Sequence, residues 1–250
     1  MRKVGLSLLL ILCFAGVSFC QVTASAQTFR PDSEMRADPK DIREIFLTVP
    51  WPTGVADSLA GMTAQKAGDI NQRKRLLYSM ARAEGENVLD VANGYLKLNL
   101  GEGDFVVTTY FQKANGDRLV VLQVGDSNVP DDLPLTEDYF FTLSHGSYNA
   151  ESSSNLLPAI KFDDFWGSQP LPKLSVKNMI APDPCYRIEW PRKGTIAKAT
   201  YIEPYFDTEG KEELAAEKVA NKRQFDEIDF VWDKQKGSFT KGQYKRHKPR

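Results

Sequence analysis

The chain has 250 residues, 42% of them hydrophobic, and carries 32 basic against 33 acidic side chains. That length and apolar content allow a sizeable core in one or two domains and exclude global disorder. Two histidines and three cysteines leave little material for nucleophilic or metal chemistry.

The N-terminus reads as an export signal. Arg2 and Lys3 precede an apolar run from Val4 to Cys20, and Ala24-Ser25-Ala26 has the small-x-small form of a cleavage site. Cleavage between Ala26 and Gln27 removes residues 1–26, and no membrane-spanning stretch is expected after processing. Cys20 raises a lipoprotein alternative, which the bulky Phe19 before it disfavours. Cys13 and Cys20 would leave with the signal, so Cys185 alone would remain, too few thiols for a disulfide or a cysteine-based zinc site. The processed chain would hold 30 basic and 33 acidic residues, and five of the basic ones fall in the last ten positions. Residues 241–250 therefore read as a basic tail on an acidic body.

Residues 27–38 are polar and read as a flexible lead-in to a domain spanning 39–240. Asp38-Pro39 has the form of a helix start, with Asp at the N-cap and Pro at the first helical position. Ile42, Ile45, Phe46 and Val49 follow at helical spacing, and Pro50-Trp51-Pro52 stops the run. A second helix is expected over 70–83, with Leu76, Leu77 and Met80 on one side. Arg73, Lys74 and Arg75 near its start oppose the helix dipole and read as a solvated face.

From Tyr95 to Val124 three strand-like runs are separated by two turns, Gly101–Asp104 and Asn115-Gly116. Leu96, Leu98 and Leu100 alternate with polar neighbours, and the next two runs are apolar on both faces. Connections this short make the strands antiparallel neighbours, and Asn-Gly suits a type I′ turn. Residues 138–144 (DYFFTLS) form a fourth strand candidate, followed by a polar loop over 146–155. Prolines at 170, 172, 182 and 184 mark a candidate subdomain break near 168–184. Residues 185–190 and 195–203 alternate as strands, residues 211–224 read as a charged helix or excursion, and 228–244 reads as a hairpin with Trp232 and Phe239 on opposite arms.

The chemistry available is thin. Hydrolysis needs two facing carboxyl groups or an activated nucleophile. Asp163 and Asp164 are the candidate carboxylates, although adjacent strand residues point to opposite faces. His145 is the candidate catalytic histidine beside Ser144 and Ser147, while His247 falls in the basic tail. There is no G-x-S-x-G elbow, no phosphate-cradling glycine loop and no nucleic-acid motif. Asp126, Asn128, Asp131 and Asp132 offer oxygen ligands for calcium, without the glycine and terminal glutamate of an EF-hand loop.

Four segments resemble a known family. They are FLTxP (Phe46 to Pro50), NxRxxL (Asn71 to Leu76), DxxNxYLKLNL (Asp90 to Leu100) and IDFVWDxxxGSF (Ile228 to Phe239). Together they are similar to small exported proteins of Bacteroidetes classed as a domain of unknown function. The resemblance implies export to the periplasm or surface, an α+β fold and no catalytic residues to carry over. Here Pro50-Trp51-Pro52 replaces the P-D-S of that family, and residues 211–224 and the basic end look like additions.

The combined expectation is an α+β fold, with two N-terminal helices packed on a mostly antiparallel, meander-type sheet of six to eight strands. The function expected is a non-enzymatic, exported binding or envelope-associated module, without cofactor, whose partner is an envelope glycan or protein. The alternatives are a hydrolase using Asp163 or Asp164 with His145, and a calcium-stabilised structural module.

Overall fold

The computed structural model describes residues 28–29, 38–52, 70–80, 87–101, 104–126, 136–167, 186–202 and 223–247. The expected cleavage site at Ala26 and Gln27, the break near 168–184, Cys185, and the possible helix up to 222 lie outside these residues.

The chain is built mostly from antiparallel strands. β3 (Val88–Asp90), β4 (Tyr95–Gly101), β5 (Asp104–Gln112), β6 (Arg118–Asp126), β7 (Thr136–Ser144) and β8 (Ser147–Glu151) form a six-stranded meander in chain order. A second sheet of four strands has the order β12 (Ser238–Arg246), β11 (Phe225–Asp233), β10 (Ile196–Tyr201), β9 (Tyr186–Glu189). Among the described residues the α-helices are α1 (Ile42–Thr48), α2 (Ile70–Met80) and the short α3 (Ser153–Leu156) and α4 (Phe162–Trp166). A single sheet was the sequence expectation. Two sheets form because the strands after residue 186 carry their own apolar face and close over the meander instead of extending it.

The six-stranded sheet is buried on both sides, as its doubly apolar strands require. Leu96, Leu98, Val106, Val120, Leu122, Val124, Phe141 and Leu143 form one core with Ile42, Ile45, Phe46 and Val49 of the α1 segment. Each of the three fully enclosed α1 side chains contributes about 1.5–3 kcal/mol of burial. On the opposite face Tyr95, Val107, Phe111, Leu119, Val121 and Phe140 meet Ile188, Trp190, Phe230, Trp232 and Phe239 of the four-stranded sheet. The layers therefore run α1 and α2, central sheet, outer sheet, and α3 and α4 add Leu156, Phe165 and Trp166 to the core between the sheets.

Several local expectations change. The N-cap of α1 is Asp41, not Asp38: its carboxylate accepts from the Arg43 and Glu44 backbone N–H groups. The two-residue strands β1 (Thr28–Phe29) and β2 (Trp51–Pro52) pair with each other, so the lead-in is tied down at that point. The polar stretch 146–155 holds an edge strand, β8, instead of a loop. The residues read as a basic tail continue β12 to Arg246, pairing with Phe225. Gly94 closes the turn into β4 with φ of +65°, and a Cβ there would lie 2.5 Å from the Tyr110 ring.

Candidate functional site

The connections at one end of the two sheets converge. The β5–β6 turn over 113–117 is adjacent to the His145-Gly146 turn, because Arg118 pairs with Leu143 and Ser144 with Ser147. The Ala114 N–H donates to the Lys234 carbonyl at 2.9 Å, which joins the β5–β6 turn to the β11–β12 turn. Trp232 Nε1 donates to the Gln112 carbonyl at 3.0 Å, and its backbone N–H to the Thr195 carbonyl at 2.9 Å. Arg192 Nε donates to Asp90 Oδ2 at 2.8 Å, tying the β9–β10 turn to the turn before β4. Tight turns cross-linked in this way form a rigid platform.

Charge on the platform is uneven. Its acids are engaged locally: Asp90 accepts from Arg192 and from Asn93, and Asp233 accepts from the Gln235 and Lys236 backbone N–H groups. Hydrogen bonds from Ser144 and Asn115 hold the Asp117 carboxyl below its ordinary range. Lys193, Lys234 and Lys236 are exposed on the rim, and Lys236 Nζ lies 3.5 Å from Asp233 Oδ2. Lys113 turns inward, donating to Thr142 Oγ1 at 2.7 Å, and Thr142 donates to Glu151 Oε1 at 2.5 Å.

The structure does not assemble the hydrolase constellation. His145 is exposed with φ of 47° and precedes Gly146 with φ of 75°, so it is the first centre of a two-residue hairpin turn. Its Nδ1 lies 3.0 Å from Ser144 Oγ, but the nearby carboxylate, Asp117, bonds the serine and not the imidazole. A triad needs the reverse order. Asp163 and Asp164 are on α4, not on a strand. Asp163 is exposed, and Asp164 accepts from the Lys161 N–H at 2.6 Å, Lys241 Nζ at 2.6 Å and Tyr244 OH at 3.2 Å. Burial raises the Asp164 carboxyl, but these donors together bring it below its ordinary value. Asp164 thus fastens α4 to β12. Lys241 and Tyr244 lie along β12 well away from the turn platform, which Gly237 joins by packing near Lys113.

A turn role for His145 has a measurable consequence. His145→Asn is expected to leave the denaturation midpoint within about 0.5 kcal/mol of wild type or raise it, since Asn tolerates positive φ. His145→Val is expected to cost about 1–2 kcal/mol, because a β-branched residue resists that conformation. Urea titration of both variants separates a turn residue from one retained for chemistry.

Of the calcium candidates, Asn128, Asp131 and Asp132 and the side chain of Asp126 lie outside the described residues; the Asp126 backbone pairs with Asp104 at the end of β6. Among the described residues no group of three His, Cys, Asp or Glu side chains could hold a metal ion. No helix among them is long and apolar enough to cross a membrane.

Three polar residues were misread or passed over in the sequence. Arg73 is fully buried, not solvated: its Nη1 donates to the carbonyls of Phe46, Leu47 and Val49 at 3.1, 3.2 and 2.6 Å. The guanidinium lies 5.0 Å from the Trp51 ring centre, and burial lowers its pKa to about 9. His247 is enclosed, with Nδ1 2.8 Å from Asp226 Oδ1 and its backbone N–H on the Gln224 carbonyl. Asp138 is the acceptor for Trp190 and Gln123 between the sheets. The available signal was Gln123, a single polar residue facing inward in the otherwise apolar β6; Asp138 shares its face of β7 with Thr142 and Ser144 and carried no such signal.

The described residues thus form an antiparallel double sheet with α1 and α2 on one face, α3 and α4 against the other core, and a braced end of turns. No family model matches the chain. No curated protein matches it either. Among solved structures it is similar to a domain of an uncharacterized protein from Porphyromonas gingivalis, a member of Bacteroidetes, at 10% identity and a TM-score of 0.48. The overlap covers 70% of this chain and 89% of that one. A likeness this distant bears on no residue's role.

Proposed function

We propose that this protein is an exported, non-enzymatic binding module of the cell envelope, and that its contact surface is the braced turn end, which takes an anionic envelope glycan. The carrying observation is the exposed basic rim of Lys193, Lys234 and Lys236, the last in a solvent-exposed pair with Asp233 at 3.5 Å, on a platform whose acids have local partners. Basic groups on rigid turns attract an anionic polymer without a deep pocket and lose little entropy on binding. The A-x-A site at Ala24-Ser25-Ala26 supports export, and the separation of His145 from Asp164 supports a non-catalytic role.

A thermal-shift screen of residues 27–250 tests this reading. The panel is acidic and neutral glycans, peptidoglycan fragments, short peptides and divalent cations. A ligand at about 100 times its Kd adds roughly 2.7 kcal/mol, a shift of several degrees. The expected result is a shift with acidic glycans that weakens with added salt. The combined Lys193→Glu, Lys234→Glu and Lys236→Glu variant should weaken that binding at least about tenfold, at roughly 0.5 kcal/mol per charge. Its own stability should fall by no more than about 1 kcal/mol, the scale of the surface pair that Lys236 makes with Asp233. A shift with neutral glycans alone, or one that survives the triple reversal, places binding elsewhere.

A further inference from the structure

The side chain of Asp138 enters the space between the two sheets from β7. Trp190 Nε1 donates to its Oδ1 at 2.7 Å, and Gln123 Nε2 donates to the same oxygen at 3.0 Å. Gln123 Nε2 also donates to the Ile188 carbonyl at 2.9 Å, which uses both hydrogens of that amide. One carboxyl oxygen and one amide therefore connect the central sheet (Gln123, Asp138) to the edge strand of the outer sheet and the residue after it (Ile188, Trp190). Gln123, Ile188 and Trp190 are all at least nine-tenths buried.

The charged groups on this face of β7 and β8 are Glu151, which accepts from Thr142 Oγ1, and Lys113, which donates to the same hydroxyl; both are engaged at Thr142, four positions along β7 from Asp138. Its neighbours on β7, Glu137 and Tyr139, point to the other face and bond each other. On β9, Arg187 and Glu189 alternate with the buried Ile188 and pair with each other at 3.4 Å. Lys198 of β10 also faces away from the core and pairs with Glu227 of β11 at 3.0 Å. Along the cross-strand row Lys97–Val107–Gln123–Asp138, the cation is three strands away, about 14 Å at normal strand spacing, with its ammonium over the Phe105 ring. Asp138 is half-buried, and an ionised carboxylate here would be held by two neutral donors, both on side chains that are themselves buried. The neutral acid keeps both acceptor bonds on Oδ1 and carries its proton on Oδ2.

We propose that Asp138 is a proton-linked clamp between the sheets: as a neutral acid it holds Trp190 and Ile188 against the central sheet, and its ionisation loosens the β9 edge. Burial supports this by pushing the carboxyl from its ordinary 3.8 up to about 7. Because the folded-state value is raised, the contribution to stability is complete below the unfolded value near 4 and is lost as pH rises through about 7. The partners held by this carboxyl, Ile188 and Trp190, belong to or follow β9, the edge of the outer sheet, which has a neighbouring strand on one side only. The β9 segment therefore separates before the meander does.

The test compares wild type with Asp138→Asn from pH 5 to pH 8.5, reading the melting temperature and amide hydrogen exchange over 186–190. Asparagine keeps an oxygen acceptor for Trp190 and Gln123 and cannot ionise. The expected result is a variant-minus-wild-type difference in Tm that grows by roughly 5–10 °C across this range. Exchange at 186–190, corrected for intrinsic rate, should accelerate with pH in wild type and stay level in the variant. A Tm difference that does not change with pH overturns the clamp. Carbon-13 titration of the side-chain carboxyls in wild type decides the matter even if the variant folds poorly. An enclosed Asp138 carboxyl titrating near 4 overturns the proposal, and one titrating near neutrality supports it.

Discussion

Replacing Arg73 with methionine is expected to lower stability by about 3–5 kcal/mol, because three carbonyls at the end of α1 lose their charged donor. Methionine keeps an unbranched apolar stem but no donor. Phe46, Leu47 and Val49 supply carbonyls at the end of α1, where the helix has no further N–H groups to meet them and Pro50 cannot donate. One guanidinium nitrogen answers all three carbonyls. Without it each buried carbonyl stands to lose about 1–3 kcal/mol, less whatever water or backbone movement recovers. Arg73→Lys is expected to recover part of the loss, because an ammonium can still donate to carbonyls but cannot stack its plane over Trp51. Urea unfolding with an unchanged m-value measures both variants. A methionine variant within 1 kcal/mol of wild type, on the scale of a neutral hydrogen bond, would show that the helix end does not depend on this contact.

Trp232→Ala is expected to cost about 3–5 kcal/mol, and Trp232→Phe less than half of that. The Trp232 ring lies 5.4 Å from Phe111 of the central sheet and 5.0 Å from Phe239 on its own hairpin. Phe239 and Trp190 also approach Phe111, at 5.0 and 6.1 Å, so the four rings make one cluster across the two sheets. Alanine removes the ring volume and the Nε1 donor to Gln112; phenylalanine removes the donor and part of the volume. A double-mutant cycle with Phe239→Leu should show coupling of about 0.5–1.5 kcal/mol beyond additivity. Additive losses would mean that the two aromatics act independently.

The meander was legible in the sequence because its information is local. Alternation at Leu96 to Leu100 and the Asn115-Gly116 turn specify strand, reversal and antiparallel pairing within a few residues. Runs apolar on both faces announced that the central strands are covered twice. The Trp232–Phe239 hairpin was equally local. Its pairing Trp232↔Phe239 follows from the turn, whereas the ring cluster that receives both side chains does not.

The candidate site was far less legible. Asp163 and Asp164 could be weighed as a pair only by assuming a strand, and α4 removes that assumption. His145 was singled out by scarcity, whereas its positive φ belongs to a turn that both flanking strands impose. His247 was assigned to a tail because a basic, polar end gives no alternation signal; pairing with β11 and the Asp226 contact hold it in place.

By itself the sequence determined the elements whose cause lies within a turn or a strand: the meander, its order, its double burial and the two-aromatic hairpin. Only the tertiary structure decided that the last strands form a second sheet, that Arg73 goes inward, and that Asp138 and Gln123 join the layers. Each of these is a choice of partner between residues far apart in the chain. Arg73 meets Val49 across 24 positions and Gln123 meets Ile188 across 65, and no local pattern encodes such a contact. A buried polar group takes its stability from the donor or acceptor opposite it, and that partner is present only once the fold has closed.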